Sequence, residues 1–151
     1  VWKKCLGDLP VTWQKFLWYD ITGFSGRGRV KMDFYKRADL VMKKVPEGRV
    51  VSYGQIALLC GVPGNARQAG YALRTGKAGQ KTAYRVVNAQ GYLSGAGAFE
   101  TCDMQRLLLE KEGIRVLWTE KGWKVDMKTF GWKNTIEDAE ELRREFERLG
   151  V

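Results

Sequence analysis

Two sets of residues in this sequence could carry chemistry: three thiols, and one basic, aromatic helix face. Cys5, Cys60 and Cys102 are odd in number and widely spaced, form no CxxC pair, and have no histidine anywhere in the chain to work with. That set builds neither a disulfide framework nor a zinc site, so the thiols read as reduced and no metal or cofactor is expected. The second set lies between residues 66 and 74. At 100° per residue, Arg67, Tyr71 and Arg74 share one side of a helix, beside a strip formed by Ala66, Ala69, Gly70 and Leu73. Small residues let a helix approach a partner closely, and a basic flank suits a polyanion. A second reading stays open at this point: the small residues pack against a preceding helix and the arginines are simply solvated.

Charge points the same way. Of 151 residues, 26 are Lys or Arg and 17 Asp or Glu, a net charge of +9. Residues 1–31 carry an excess of four positive charges and residues 32–115 an excess of six, whereas residues 116–151 carry one net negative charge. The basic excess therefore lies outside the C-terminal segment. With 44% hydrophobic and 28% charged residues the composition is that of a globular chain long enough for one domain with a proper core. No run approaches the roughly 18 apolar residues of a membrane span and nothing at the start resembles a secretory signal. The expected location is cytoplasmic, with no membrane contact.

The elements that must position the basic face can be read from caps and breakers. Ser52 and Gln55 have capping-box spacing, Ile56, Leu59 and Cys60 repeat at helical spacing, and Gly61 and Pro63 end that helix. Cys60 is thereby placed inward. Asn65 opens a second helix that runs to about Arg74, with Gly76 beyond it. Two short helices across a tight Gly-containing turn read as a helix-turn-helix. Upstream, residues 33–44 form a helix with Phe34, Ala38, Val41, Met42 and Val45 on one face, stopped by Pro46 and Gly48. Downstream, residues 76–81 read as a basic loop, 84–88 as a strand, and 88–91 as a turn. Thr101 caps a helix that turns Met104, Leu107 and Leu108 inward. Residues 114–117 and 123–125 form a hairpin around Glu120, Lys121 and Gly122. Asn134 or Thr135 caps a final helix with Ile136, Ala139, Leu142, Phe146 and Leu149 as its stripe, acids in its first turn and Gly150 after it. Residues 1–31, rich in aromatics without a clean period, read as an extension before a start at Met32; a helix covering the domain is the alternative.

Several of these stretches together resemble a known family. Val50-Val51-Ser52-Tyr53-Gly54-Gln55-Ile56-Ala57, then Ala66-Arg67-Gln68-Ala69-Gly70-Tyr71-Ala72-Leu73-Arg74, then Tyr84-Arg85-Val86-Val87-Asn88 and Gly91 resemble, in order and spacing, the DNA-binding domain of the O6-alkylguanine-DNA alkyltransferases. The resemblance spans about residues 34–116. It implies a mainly α fold with small β elements, helix-turn-helix or winged-helix-like, over residues 32–118; the hairpin and helix of 119–151, the helix lying beyond the resemblance, are expected to pack on the same domain. In that family the reactive centre reads Pro-Cys-His-Arg-Val; here those positions read Thr82-Ala83-Tyr84-Arg85-Val86. A methyl side chain is no nucleophile, so alkyl transfer at Ala83 is excluded. Glu112 matches the glutamate of the family's relay but has no histidine to orient. The sequence thus looks like the alkyltransferase-like subgroup, whose members bind O6-alkylguanine in DNA, flip it, and mark it for nucleotide excision repair.

By position, the resemblance implies a monomer contacting double-stranded DNA through Tyr53, Ala66, Arg67, Ala69, Gly70 and Arg74, with Lys77 and Lys81 as further phosphate contacts. Arg67 would fill the space of the extruded nucleotide and Tyr53 would crowd a phosphate. The flipped base would lie against Ala83, Tyr84, Val86, Gly95 and Ala96, while Arg85 fits either an inward salt bridge or a base contact. Two other readings stand beside this sensor: a methyltransferase using a displaced thiol, Cys102, and a helix-turn-helix regulator that reads sequence through the major groove.

Overall fold

The computed structural model describes residues 32–93 and 103–151. The expectations for residues 1–31, for Thr101 as a cap, and for Gly95, Ala96 and Cys102 lie outside the described residues. Among the described residues the first helix is α1 (Phe34–Lys44), whose Asp33 side chain accepts the Lys36 N–H at 3.2 Å and whose inner face is Phe34, Ala38, Val41 and Met42. Val51–Ser52 forms a two-residue strand, β1, that leads directly into α2 (Tyr53–Leu59). Gly61 takes φ +82°, a left-handed value that a side chain would strain, and so turns the chain toward α3 (Ala66–Arg74). A 3-10 turn, Ala83–Arg85, precedes β2 (Val86–Val87). β1 and β2 pair in parallel with Val51 opposite Val86 and Ser52 opposite Val87. The start of the helix pair is thereby seamed to the end of the 3-10 turn. The expected strand over 84–88 is correspondingly shorter, because its first residues curl into the turn.

The second half builds a floor beneath that seam. α4 (Met104–Lys111) leads to a hairpin of β3 (Val116–Thr119) and β4 (Gly122–Val125), paired antiparallel with Val116 opposite Val125 and Trp118 opposite Trp123. Val50, Val87, Leu109, Ile114, Val116 and Val125 are buried together, with Tyr84, Leu93, Trp123, Met127 and Phe130 packed around them. Gly91 is pinned above β4: its carbonyl accepts the Val125 N–H at 2.9 Å, its φ is +93°, and a Cβ there would stand 2.2 Å from the Val125 carbonyl oxygen. Only glycine fits so close an approach.

α4 does not present the face its leucines suggest. Its buried residues are Gln105 and Leu109, Leu108 and Met104 are only half-buried, and Leu107 is 53% exposed. The reason is polar: the Gln105 side-chain N–H₂ donates to the Tyr84 carbonyl at 3.1 Å and to the Val86 carbonyl at 2.9 Å, across the junction of the 3-10 turn and β2. Gln105→Leu keeps the volume and orphans both carbonyls, so unfolding in urea is expected to show a loss of about 2 kcal/mol.

Two further differences concern the C-terminal segment. A short helix absent from the sequence reading, α5 (Met127–Phe130), follows β4, its Asp126 side chain accepting the Lys128 N–H at 3.0 Å. α6 (Ile136–Leu149) has a full capping box between Thr135 and Asp138, buries Ala139, Leu142 and Phe146, and ends at Gly150 with φ +68°. It lies on α1, where Lys44 meets Asp138 at 3.7 Å and also bonds Glu141, and the Arg37 guanidinium sits 4.8 Å from the centre of the Phe146 ring. Ile136 and Leu149, at its two ends, remain exposed.

Candidate nucleic-acid interface and base pocket

The helix pair is set by one cap and one strap. The Ser52 hydroxyl accepts the Gln55 N–H at 3.2 Å, as the sequence leads one to expect, but the Gln55 amide does not turn back to complete a box. It donates to the Trp132 carbonyl at 2.8 Å and to Asn134 Oδ1 at 2.7 Å. The Asn65 side chain likewise makes no cap bond to the backbone of α3 and instead donates to Gln68 Oε1 at 2.8 Å. Both polar side chains found stronger partners than the backbone amides that spacing offers them.

α3 splits its small-residue strip in two. Ala69 and Ala72 are fully buried toward the core, whereas Ala66 and Gly70 are half-buried and Arg67, Tyr71 and Arg74 are exposed. Ala69 therefore sits with the packing face and not on the accessible surface. Gly70 lies beneath Tyr53, since a Cβ built on it would be 3.7 Å from the tyrosine ring. The predicted contact residues Tyr53, Ala66, Arg67, Gly70 and Arg74 thus come together on the start of α2 and one side of α3.

The cations on this surface are held by rings instead of by acids. The Lys77 ammonium stands 4.6 Å from the centre of the Tyr35 ring and 5.1 Å from that of Tyr71, and the Arg74 guanidinium is 6.0 Å from Tyr71. The two tyrosines are themselves 6.3 Å apart. Among the described residues, Arg67, Arg74, Lys77 and Lys81 have no carboxylate within ion-pair distance, while Lys36, Lys43, Lys44, Arg85, Arg106, Arg143 and Arg148 each have at least one. A cation oriented by an aromatic face keeps its full charge for a phosphate. Tyr35 was not legible as part of this surface, because it lies on α1, and only folding brings it to Tyr71.

The pocket positions are organised by a carboxylate behind them. Ala83 and Tyr84 are half-buried on the 3-10 turn, and Val86 is buried in β2, below the accessible surface. The Tyr84 hydroxyl donates to Glu112 Oε1 and so ties the 3-10 turn to the end of α4. Arg85 points inward: Nε donates to both Glu112 oxygens at 3.0 and 3.1 Å, Nη2 to Oε1 at 2.6 Å, and Nη1 to the Val45 carbonyl at 3.0 Å. The Gly48 N–H completes the set on Oε2 at 3.0 Å. Burial works to raise the Glu112 pKa, but the bonds from Arg85, Tyr84 and Gly48 outweigh it and hold the carboxyl below the usual glutamate range. Burial, followed by donation to that carboxylate, raises the Tyr84 phenol above its ordinary value. This turn therefore offers neither a thiolate nor a free base. Cys60 adds none, being wholly buried with burial pushing its thiol up to about 12. Among the described residues no group of His, Cys, Asp or Glu could hold a metal ion, and no helix is long and apolar enough to cross a membrane.

Residues 33–114 match the 6-O-methylguanine DNA methyltransferase DNA-binding domain. The chain belongs to this methyltransferase family. Within the family it is similar to a DNA base-flipping protein of Vibrio parahaemolyticus, 39% identical over 94 residues that make up 62% of this chain and 89% of the relative. It is also similar to alkyltransferase-like protein 1 of Schizosaccharomyces pombe, 31% identical over 107 residues, 69% of this chain and 99% of the relative. The fold follows that of the same fission-yeast protein, Atl1, solved in complex with damaged DNA containing O6-carboxymethylguanine. The TM-score is 0.59 at 30% identity, over 67% of this chain and 95% of that one. The mainly helical, helix-turn-helix reading is that of the family's DNA-binding domain.

Proposed function

We propose that this protein is a non-enzymatic sensor of O6-alkylguanine in double-stranded DNA, which extrudes the damaged base and holds it without removing the alkyl group. The observation that carries this reading is the turn at residues 83–85, where Ala83 offers a methyl group at the position the resemblance gives to the acceptor and Tyr84 a phenol bonded to Glu112, in a chain whose α3 presents an exposed cationic face. Phosphates would draw the duplex to Arg74, Lys77 and Lys81. Ala66 and Gly70 would admit α3 into the minor groove, with Tyr53 against the backbone beside the lesion. Arg67, exposed and without an acidic partner, would occupy the gap in the stack and offset part of the unstacking cost of a few kcal/mol. The extruded guanine would then rest against Ala83 and the ring of Tyr84. A bound lesion that is not repaired on the spot is a mark for other repair machinery, with excision of the damaged strand the fitting consequence.

Competition between two duplexes that differ only in one O6-methylguanine, at fixed salt, tests this. Wild type is expected to prefer the lesion by tenfold or more, since every ~1.4 kcal/mol of differential contact is a factor of ten. Arg67→Ala is expected to abolish the preference while leaving much of the affinity for undamaged duplex. The intact protein mass should stay unchanged after exposure, where an acceptor thiol would gain one methyl, about 14 Da. Equal affinity for both duplexes would remove damage recognition and leave a DNA-binding module; a mass gain would restore an enzyme.

A further inference from the structure

The C-terminal segment looks acidic only in sum. Its acids from Glu137 onward belong to α6, whereas the strap made of α5 and the segment that joins it to α6 carries Lys128, within α5, and Lys133, after it. With Arg49 these two lysines line a groove of about 380 Å³, together with Thr129 and Trp132, and no carboxylate lines it. All three cations are exposed, and among the described residues none has an acid within ion-pair distance. The Asp126 carboxylate, at the start of α5, is engaged by the Thr129 hydroxyl at 2.7 Å and the Lys128 N–H at 3.0 Å. The Arg49 side chain donates to the Thr129 carbonyl and so holds the strap against residue 49.

The location of the groove decides what it would bind. The Val50 N–H donates to the Phe130 carbonyl at 2.9 Å, the Trp132 N–H returns to the Val50 carbonyl at 2.7 Å, and Gln55 bonds both Trp132 and Asn134. The strap is thus fastened to the residue before β1 and to the first turn of α2, two residues from Tyr53. We infer that Arg49, Lys128 and Lys133 form a second phosphate-binding surface that extends the duplex footprint past the α2 N-terminus, supplied largely by a segment beyond the matched domain of residues 33–114. The inference rests on the proposed DNA-binding role of α2 and α3. Exposed cations with no carboxylate within ion-pair distance, on a strap fastened to Val50 and Gln55, are the chemistry of backbone contacts that carry no sequence information.

The test is the salt dependence of binding to undamaged and O6-methylguanine duplexes by wild type and the Lys128→Gln, Lys133→Gln double variant. Each phosphate contact contributes roughly 0.9 to the slope of log K against log salt. The double variant should therefore show a slope shallower by about two, and an affinity lower by roughly ten- to a hundredfold near 100 mM salt, equally on both duplexes. The lesion preference should stay at the wild-type ratio. A slope and affinity unchanged from wild type overturn the inference, as does a loss confined to the lesion duplex. Because both lysines are exposed, thermal unfolding of the variant should match wild type; a lowered midpoint with an unchanged slope likewise counts against the surface. If wild type shows no lesion preference yet the slope still falls, the sensor reading fails and this surface stands.

Discussion

Replacing Glu112 with glutamine is expected to destabilise the protein by about 3–5 kcal/mol, because it leaves the Arg85 guanidinium charged and uncompensated. The side chains of Arg85 and Glu112 are 12% and 6% exposed, so water cannot substitute for the lost anion. Glutamine would still accept one or two of the four donors that now converge on the carboxylate, which favours the lower end of that range. Urea unfolding of the two proteins measures the difference. Its pH dependence has a definite sign. The Glu112 carboxyl is lowered in the fold, so its contribution is complete above the ordinary glutamate value of about 4.3 and is lost as pH falls through the lowered folded value. Tyr84 is raised, so its contribution is complete below about 10 and is lost as pH rises through the raised value. Wild type and Glu112→Gln should accordingly converge in acid. Tyr84→Phe, which removes one donor and keeps the ion pair, should lose about 1–2 kcal/mol at neutral pH and flatten the alkaline limb. Equal stability of the Glu112 variant and wild type at pH 7 would show that the network does not support the turn.

The second large effect concerns chemistry. Ala83→Cys alone is expected to remain unmodified by O6-methylguanine DNA, although it restores a sulfur at the acceptor position. Its thiol would keep an ordinary pKa near 8.5, and the neighbouring phenol, itself raised and donating to Glu112, cannot take up the proton. The Ala83→Cys, Tyr84→His double variant puts an imidazole between thiol and carboxylate, and should gain a single methyl, about 14 Da by intact mass, at one equivalent per protein. A methyl on the single variant would mean that the phenol is not the block.

Much of the architecture is legible in the sequence, and two of the exceptions share a cause. Ser52 caps α2, Thr135 caps α6 where the sequence left Asn134 open beside it, and Gly61 and Gly150 take left-handed values, whereas the expected Asn65 cap makes no backbone bond. Where a polar side chain could choose a tertiary partner, local pattern failed. Gln55 leaves its capping box for Trp132 and Asn134, and Gln105 takes the buried position that a leucine stripe would assign to Leu107. Both decisions depend on carbonyls brought near by folding, which no window of sequence contains. The same holds at the candidate site. The exposed row of Arg67, Tyr71 and Arg74 follows from helical period alone, but the Tyr35 and Tyr71 cradle for Lys77, and the strap that places Lys128 and Lys133, follow from α1 and the C-terminal segment reaching the helix pair. Charge summed over residues 116–151 concealed that strap by averaging it with α6.

The 3-10 turn is held from three sides. Gln105 grips it by the carbonyls of Tyr84 and Val86, Arg85 anchors it to Glu112 and to the Val45 carbonyl, and β1 fixes its exit. None of these restraints uses the side chain of residue 83. Frame and side chain are separable in such a turn: residue 83 is a passenger, and on the sensor reading proposed above it could be exchanged for another small side chain without loosening the wall against which an extruded base would rest. A turn with no nucleophile would, on that reading, still serve as a receptor.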